Sequence, residues 1–284
     1  RFNYTVSASL GDNKTVITKY NNPEKLLTDY YEGMVLGEIW GYRIDGLFAS
    51  DEEATEYTSK INQDFVNARI LSDKVEPYYR AGDLKFRDLD NNNVINKGDD
   101  TVYDPGDREI IGNETPRYNY SFRLGADWNG FDLGIFFQGV GKRDWYPSHL
   151  STGFWGPYAR AFTSFIPENF MDQCWSEENP GGYLPRFRGY QTFADSQLGV
   201  NNDRYLQDAS YIRLKNLTVG YTLPVLKKVF TKLRVYFTGE NLWYWSPMKK
   251  YTKYIDPEAA GGNGNTGMAY NYSRNFSVGV DITF

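Results

Sequence analysis

Between Asp88 and Asp99 the chain reads DLDNNNVINKGD, and side-chain oxygens recur there at positions one, three, five, nine and twelve: Asp88, Asp90, Asn92, Asn96 and Asp99. Val94 would add its backbone carbonyl at position seven, and Ile95 beside it would anchor the loop to apolar surface. Calcium takes about six to eight oxygens, and odd spacing in a curled loop turns them inward. Calcium is therefore the expected structural cofactor of this segment. Two positions depart from the usual pattern. Asn93 stands where glycine is common, although Asn tolerates the left-handed conformation, and Asp99 replaces a bidentate Glu. The same residues also suit a solvated turn held by Asx side chains.

Catalytic chemistry finds little support. His149 is the only histidine and Cys174 the only cysteine, so a nucleophile–histidine pair or a zinc site would rest on single residues. Nothing singles out two of the 36 acidic residues as a hydrolytic pair. Gly139-Val140-Gly141-Lys142 lacks the spacing of a phosphate loop. No enzymatic activity is expected. Aromatic residues crowd the stretch from Trp145 to Tyr190. Trp145, Tyr146, Trp155 and Tyr158 are candidates for contact with a substrate or partner, against the alternative that they pack the stretch onto itself.

Composition narrows the class. Net charge is -5 with a pI near 5.1, and the basic residues are scattered, which argues against nucleic acid as a partner. A single cysteine excludes an intrachain disulfide. Mean hydropathy is -0.61, and no apolar run approaches the roughly 18 residues of a membrane helix. A membrane barrel remains open, because only alternate residues of each strand must be apolar. The aromatic share of 17 % suits one, since Tyr and Trp favour membrane–water interfaces.

Alternation supplies the elements that would position these groups. From Asn271 to Phe284, the residues Tyr272, Phe276, Val278, Val280, Ile282 and Phe284 share one parity and polar residues occupy most of the other. Side chains on a strand point to opposite faces with period two, so this strand has one apolar and one wet face. Similar strands are predicted over Phe2–Leu10, weakly over Thr15–Tyr20, then over Trp40–Phe48, Tyr118–Trp128, Phe131–Phe137, Tyr211–Tyr221 and Leu233–Trp243. Asn129-Gly130 predicts a two-residue hairpin. The parity change at Lys215-Asn216 predicts a bulge. Long connections (Ala49–Pro116, Lys142–Asp208, Trp245–Tyr270) contrast with short ones. That rhythm suits an up-and-down barrel with long outer loops, although Asn21–Val35 would then be an overlong inner turn. Ser50 with Glu53 predicts a capped helix to about Asp64, and Tyr158–Phe170 could hold another. The alternative is a secreted, calcium-stabilised β-sandwich that binds carbohydrate. The chain opens inside a strand with no signal peptide before Arg1, and it is expected to be a mature segment or fragment.

The order of segments resembles the C-terminal part of the SusC/RagA family of TonB-linked outer-membrane transporters. The resemblance lies in Gly82-Asp83-Leu84-Lys85-Phe86-Arg87-Asp88-Leu89-Asp90 running into Asp107-Arg108-Glu109-Ile110-Ile111-Gly112-Asn113. It continues in Trp128-Asn129-Gly130-Phe131-Asp132-Leu133, in Ala209-Ser210-Tyr211-Ile212-Arg213-Leu214-Lys215-Asn216-Leu217, and in Gly279-Val280-Asp281-Ile282-Thr283-Phe284. Asn93 and an insert over Lys97–Gly106 depart from the pattern. The resemblance implies an all-β transmembrane antiparallel barrel of about 22 strands, of which residues 1–284 would be the C-terminal portion without the plug. It implies residence in the Gram-negative outer membrane and coupling to the TonB complex. A SusD-like lipoprotein partner and import of oligosaccharides or peptides follow from it. Phe276, Val278, Val280, Ile282 and Phe284 match the family's terminal strand, which serves as a membrane-assembly signal.

Overall fold

The computed structural model describes residues 1–71, 78–148, 150–160, 166, 168–188, 196–224, 231–260 and 269–284. His149, Tyr190 and the Gly261–Asn265 stretch lie outside them. Six long strands form one antiparallel sheet in chain order: β1 (Phe2–Gly11), β2 (Arg117–Trp128), β3 (Phe131–Lys142), β4 (Tyr211–Leu223), β5 (Lys232–Trp245) and β6 (Asn275–Thr283). At 9 to 14 residues, each reaches or exceeds the roughly 9–11 residues a tilted strand needs to cross a bilayer.

Register carries the parity of each strand across the whole sheet. One row runs Val6, Leu124, Ile135, Leu217, Gly239, Phe276, and another runs Tyr4, Ala126, Leu133, Val219, Phe237, Val278. The row between them lies on the opposite face and reads Thr5, Gly125, Gly134, Thr218, Thr238, Ser277. The apolar face is open. Val278 is 76 % and Phe276 64 % exposed, and among the described residues no second sheet packs on it. This excludes the sandwich alternative, in which these side chains would meet another layer. Aromatic residues mark both rims of the apolar band, with Trp243 and Trp245 at one and Phe2, Trp128 and Phe131 at the other. The sheet is one wall of a transmembrane-type β-barrel, with the apolar face turned to lipid and the polar face to a wet lumen.

The tight turn forms as expected. Asn129 and Gly130 adopt φ of 46° and 86°, the geometry of a type I′ hairpin. The bulge falls at Lys215 and shifts the register to both neighbours. It lets Lys215 and Asn216 both serve the polar face while Leu214 and Leu217 keep the apolar one. The sequence reading missed a matching irregularity on β5, where Asn241 adopts a φ of 52° and Leu242 is turned over Gly239.

Two of the eight predicted strands do not join the wall. Thr15–Tyr20 makes a single bridge, Val16 to Val35. Trp40–Phe48 divides into Glu38–Tyr42, paired with Arg108–Asn113, and Ile44–Leu47, paired with Leu84–Phe86. The apolar residues there face a core instead of lipid, with Tyr42 2 % and Phe48 0 % exposed. Removing these two strands resolves the overlong inner turn. Residues 12–116 become one outer excursion, and the stretches 143–210 and 246–274 leave the same end of the sheet. Tyr272 is also corrected, because β6 begins only at Asn275 and the Tyr272 ring lies against Arg213 and Lys215 instead of lipid.

The three outer excursions share a core of their own, in which Val66, Phe86 and Ile95 of the first meet Trp155, Tyr158 and Leu198 of the second and Met248 and Ile255 of the third. The helix predicted from Ser50 runs Asp51–Thr58, shorter than expected. Ser50 Oγ accepts from Glu53 N–H at 3.2 Å, and Glu53 accepts from Ala49 N–H at 2.7 Å. It ends because Ile61 turns into the core and Asn62 bridges to Val94. Within Tyr158–Phe170 the described residues hold the end of a one-turn helix, Pro157–Arg160.

Candidate functional site

The acidic loop closes differently from its twelve-residue frame. Oxygens of Asp88, Asp90 and Asp107 lie within 4.8 Å of one another. Asp99 is not among them, and its N–H donates to Asp104 at 3.2 Å. The insert is pinched at its base, where Gly106 sits against Gly98 and Asn96 and a Cβ at Gly106 would strike backbone. Asp107 N–H donates to Asn96 C=O at 3.1 Å, and this returns Asp107 to the loop. The signal for it was in the sequence, because Asp107 opens the stretch that resumes after the insert.

Local chemistry explains the curl. Asp88 accepts from the N–H groups of Asn91 and Asn93, and Asn92 Oδ1 accepts from Val94 N–H at 2.7 Å. Asn91 and Asn93 adopt φ of 60° and 65°, so Asn does serve where glycine is common. Ile95 is fully buried, and Tyr42 Oη donates to Asn96 C=O at 3.2 Å. The buried Asp107 accepts from Leu89 and Asn96 N–H groups, both at 2.8 Å. Burial pushes its carboxyl up, and the nearby Asp90 and Asp88 carboxylates add to the shift. Three carboxylates this close repel one another unless they share a cation or a proton. Hard oxygens from Asp88, Asp90 and Asp107 suit calcium, while Asn92 Oδ1, Val94 C=O and Asn96 Oδ1 accept within the loop from Val94 N–H, Asn96 Nδ2 and Gly98 N–H.

The aromatic candidates are corrected by burial. Trp145 is 2 % exposed, and Trp155 and Tyr158 are fully buried. Trp155 Nε1 donates to Pro147 C=O at 3.0 Å, and Tyr158 Oη donates to Pro185 C=O at 2.6 Å. Tyr146 is half-buried, and its hydroxyl joins Val200 C=O and Asn202. Trp145, Trp155 and Tyr158 thus hold the outer core together, and the half-buried Tyr146 packs against the same core. Cys174 is likewise buried, and desolvation pushes its thiol up, away from nucleophilic reactivity.

Two charge clusters on the polar face also lay outside the sequence reading. At the outer rim Arg213 is 1 % exposed. It pairs with Asp256, itself 1 % exposed, and with Glu258 at 3.0 Å, while Lys215 reaches Glu258 at 2.8 Å. These pairs fasten the third excursion to the lumenal side of the wall. At the inner rim Arg234 grips both oxygens of Asp132, at 2.8 and 2.6 Å, and reaches Asp281 at 2.9 Å. The guanidinium passes over Gly220, where a Cβ would collide with Asp132 and Arg234. One cation thereby spans from β3 across β4 and β5 to β6.

Comparison with known proteins places this arrangement. No family model matches the chain. The chain is 28 % identical over 217 residues to TonB-dependent receptor P26 of Formosa agariphila, covering 72 % of this chain and 20 % of that protein. It is 29 % identical over 269 residues to TonB-dependent receptor P3 of the same organism, covering 89 % of this chain and 22 % of that one. Among solved structures it is similar to the RagAB peptide transporter, with a TM-score of 0.62 at 20 % identity, covering 100 % of this chain and 27 % of that chain. The open-open state of the RagAB peptide importer gives a TM-score of 0.61. The chain spans between a fifth and three-tenths of the length of these proteins.

Proposed function

We propose, on the premise that the chain is a segment of a SusC/RagA-type TonB-dependent receptor, that the whole receptor imports oligosaccharides or peptides across the outer membrane of a Gram-negative cell. Residues 1–284 would form the C-terminal part of its barrel, and TonB would energise it through segments outside this stretch. A SusD-like lipoprotein would meet the outer excursions. The observation that carries this reading is the continuous apolar band on one face, the continuous polar band on the other, and the exit of all three excursions from one end. Relatives named as receptors, and neighbours named as an importer, support transport over catalysis. Labelling of intact cells tests it. Cysteine at Glu177, exposed on the second excursion, should react with an impermeant maleimide from outside. Cysteine at Asn129, in the opposite hairpin, should react only after the outer membrane is opened. The buried Cys174 keeps the background low. Equal labelling of both positions in intact cells would refute the topology.

Calcium in the Asp88–Asp107 loop would act as a structural clamp in this reading, replacing carboxylate repulsion with shared coordination. The expected result is that calcium protects residues 88–107 of the whole receptor from proteolysis. Protection should vanish with a chelator and in Asp88→Asn and Asp107→Asn variants, while Asp99→Asn keeps it. A cleavage pattern indifferent to chelator would remove the metal from the account.

A further inference from the structure

The second and third excursions enclose a cleft of about 120 Å³ that no sequence motif marked. Its floor includes the Phe170 ring, 3 % exposed, and its walls and rim carry Asn169, Gln173, Lys250, Lys253 and Tyr254. Among the described residues no hydrogen bond engages the side-chain amides of Asn169 and Gln173, and no ion pair engages Lys250 or Lys253. Glu168 and Asp172 share the turn with the two amides, yet neither pairs with a lysine. Lys250 Nζ lies over the Tyr251 ring, 4.8 Å from its centroid.

The rim is held in place. Met248 is buried and accepts from Thr252 Oγ1 through its carbonyl at 2.7 Å. Tyr251 stacks flat on Tyr183, with centroids 3.5 Å apart. Tyr254 C=O accepts from Asn271 at 3.0 Å. Two residues on, Asp256 is fastened to Arg213 on the lumenal face of the wall. The rim residues 248–256 therefore belong to a part of the outer core anchored beside the lumen.

We propose that this cleft is a subsite for an anionic sugar unit, a ring bearing a carboxylate or a sulfate, on an incoming oligosaccharide. The exposed Tyr254 ring at the rim suits the apolar face of a sugar ring. Two amides with open donors and acceptors suit its hydroxyls. Two unpaired lysines, in a chain of net charge -5, suit its anion as point charges. The small volume takes one ring. Among the described residues, none that lines the cleft lies in a strand on which a peptide backbone could add. This assignment rests on the import reading and names its substrate class.

Equilibrium binding to the whole receptor with its partner lipoprotein, in detergent, tests the subsite separately from transport. The probes are an oligogalacturonate and a sulfated oligosaccharide, a neutral oligosaccharide of matched length, and a hexaglutamate peptide. An anionic oligosaccharide should bind at least tenfold more tightly than the neutral one. The Lys250→Gln/Lys253→Gln double variant should erase that margin, Lys→Arg at both positions should restore it, and neutral binding should not change. Three results would each overturn the proposal: no preference for either charged sugar, a preference that survives the double glutamine variant, or tighter binding of hexaglutamate than of both charged sugars. TonB-dependent uptake is scored apart, so loss of uptake with intact charge-selective binding counts against import and leaves the subsite standing.

Discussion

Arginine at Val219 should abolish most assembly of the receptor into the outer membrane, while arginine at the adjacent Thr218 should leave it close to wild type. Val219 lies between Leu133 and Phe237 in the middle of the apolar band and is 43 % exposed to whatever surrounds the barrel. A guanidinium near the bilayer midplane costs about 2–4 kcal/mol, and less towards either interface. Thr218 is one residue away on the opposite face, in the row of Thr5, Gly125, Gly134 and Thr238. Gly134, paired with Thr218, leaves open space there for a longer side chain, and lumenal water solvates the charge. The fraction of heat-modifiable, protease-resistant barrel in isolated outer membranes measures both variants. Equal tolerance of arginine at the two positions would mean that the faces do not see different solvents, and the barrel reading would fall with that result.

Alternation made the wall legible because a barrel strand answers to one periodic constraint along its length. Phe131, Leu133 and Ile135, like Val278, Val280 and Ile282, see lipid at every second position, and no other contact competes with that rule. Even the bulge at Lys215 left a trace as a change of phase. The outer excursions carry no such constraint. Tyr42 and Phe48 alternate as wall residues do, yet Tyr42 is buried in the core shared by the three excursions and Phe48 against Ala54, Tyr57 and Tyr79 of its own, contacts that strand spacing does not encode. The aromatic cluster shows the same limit. Composition could mark Trp145, Trp155 and Tyr158 as important but not say which way they face. The acidic loop was half legible. Asp88 and Asp90 lie on the curl itself, whereas Asp107 returns only after an insert whose conformation depends on Gly98 and Gly106 meeting at its base.

Burial of Arg213 has a purpose that the wall alone does not explain, since a lumenal arginine could as well stay in water. Its guanidinium is enclosed by the Tyr244 and Tyr272 rings, 4.7 and 5.1 Å from their centroids, and is capped by Asp256 and Glu258. The third excursion gains its attachment to the wall through those two acids and the Lys215–Glu258 pair.

Asp256→Ala is therefore expected to free the excursion. Breaking a buried pair by removing one partner costs about 3–5 kcal/mol, because the remaining charge is stranded in low dielectric. The surviving Glu258 contact and entering water reduce the loss, so about 3 kcal/mol is expected, which corresponds to roughly a hundredfold faster amide exchange over residues 246–260 and 269–274. Arg213→Met alone should do comparable damage by orphaning Asp256. The double variant Arg213→Met/Asp256→Leu should recover much of it, since apolar replacement of both partners avoids the stranded charge. Exchange in β2 and β3 should stay unchanged in all three variants, because the hydrogen-bonded ladder between those strands does not involve the pair. Unchanged exchange over the third excursion in both single variants would show that the core around Met248 and Ile255 holds it without the ion pair.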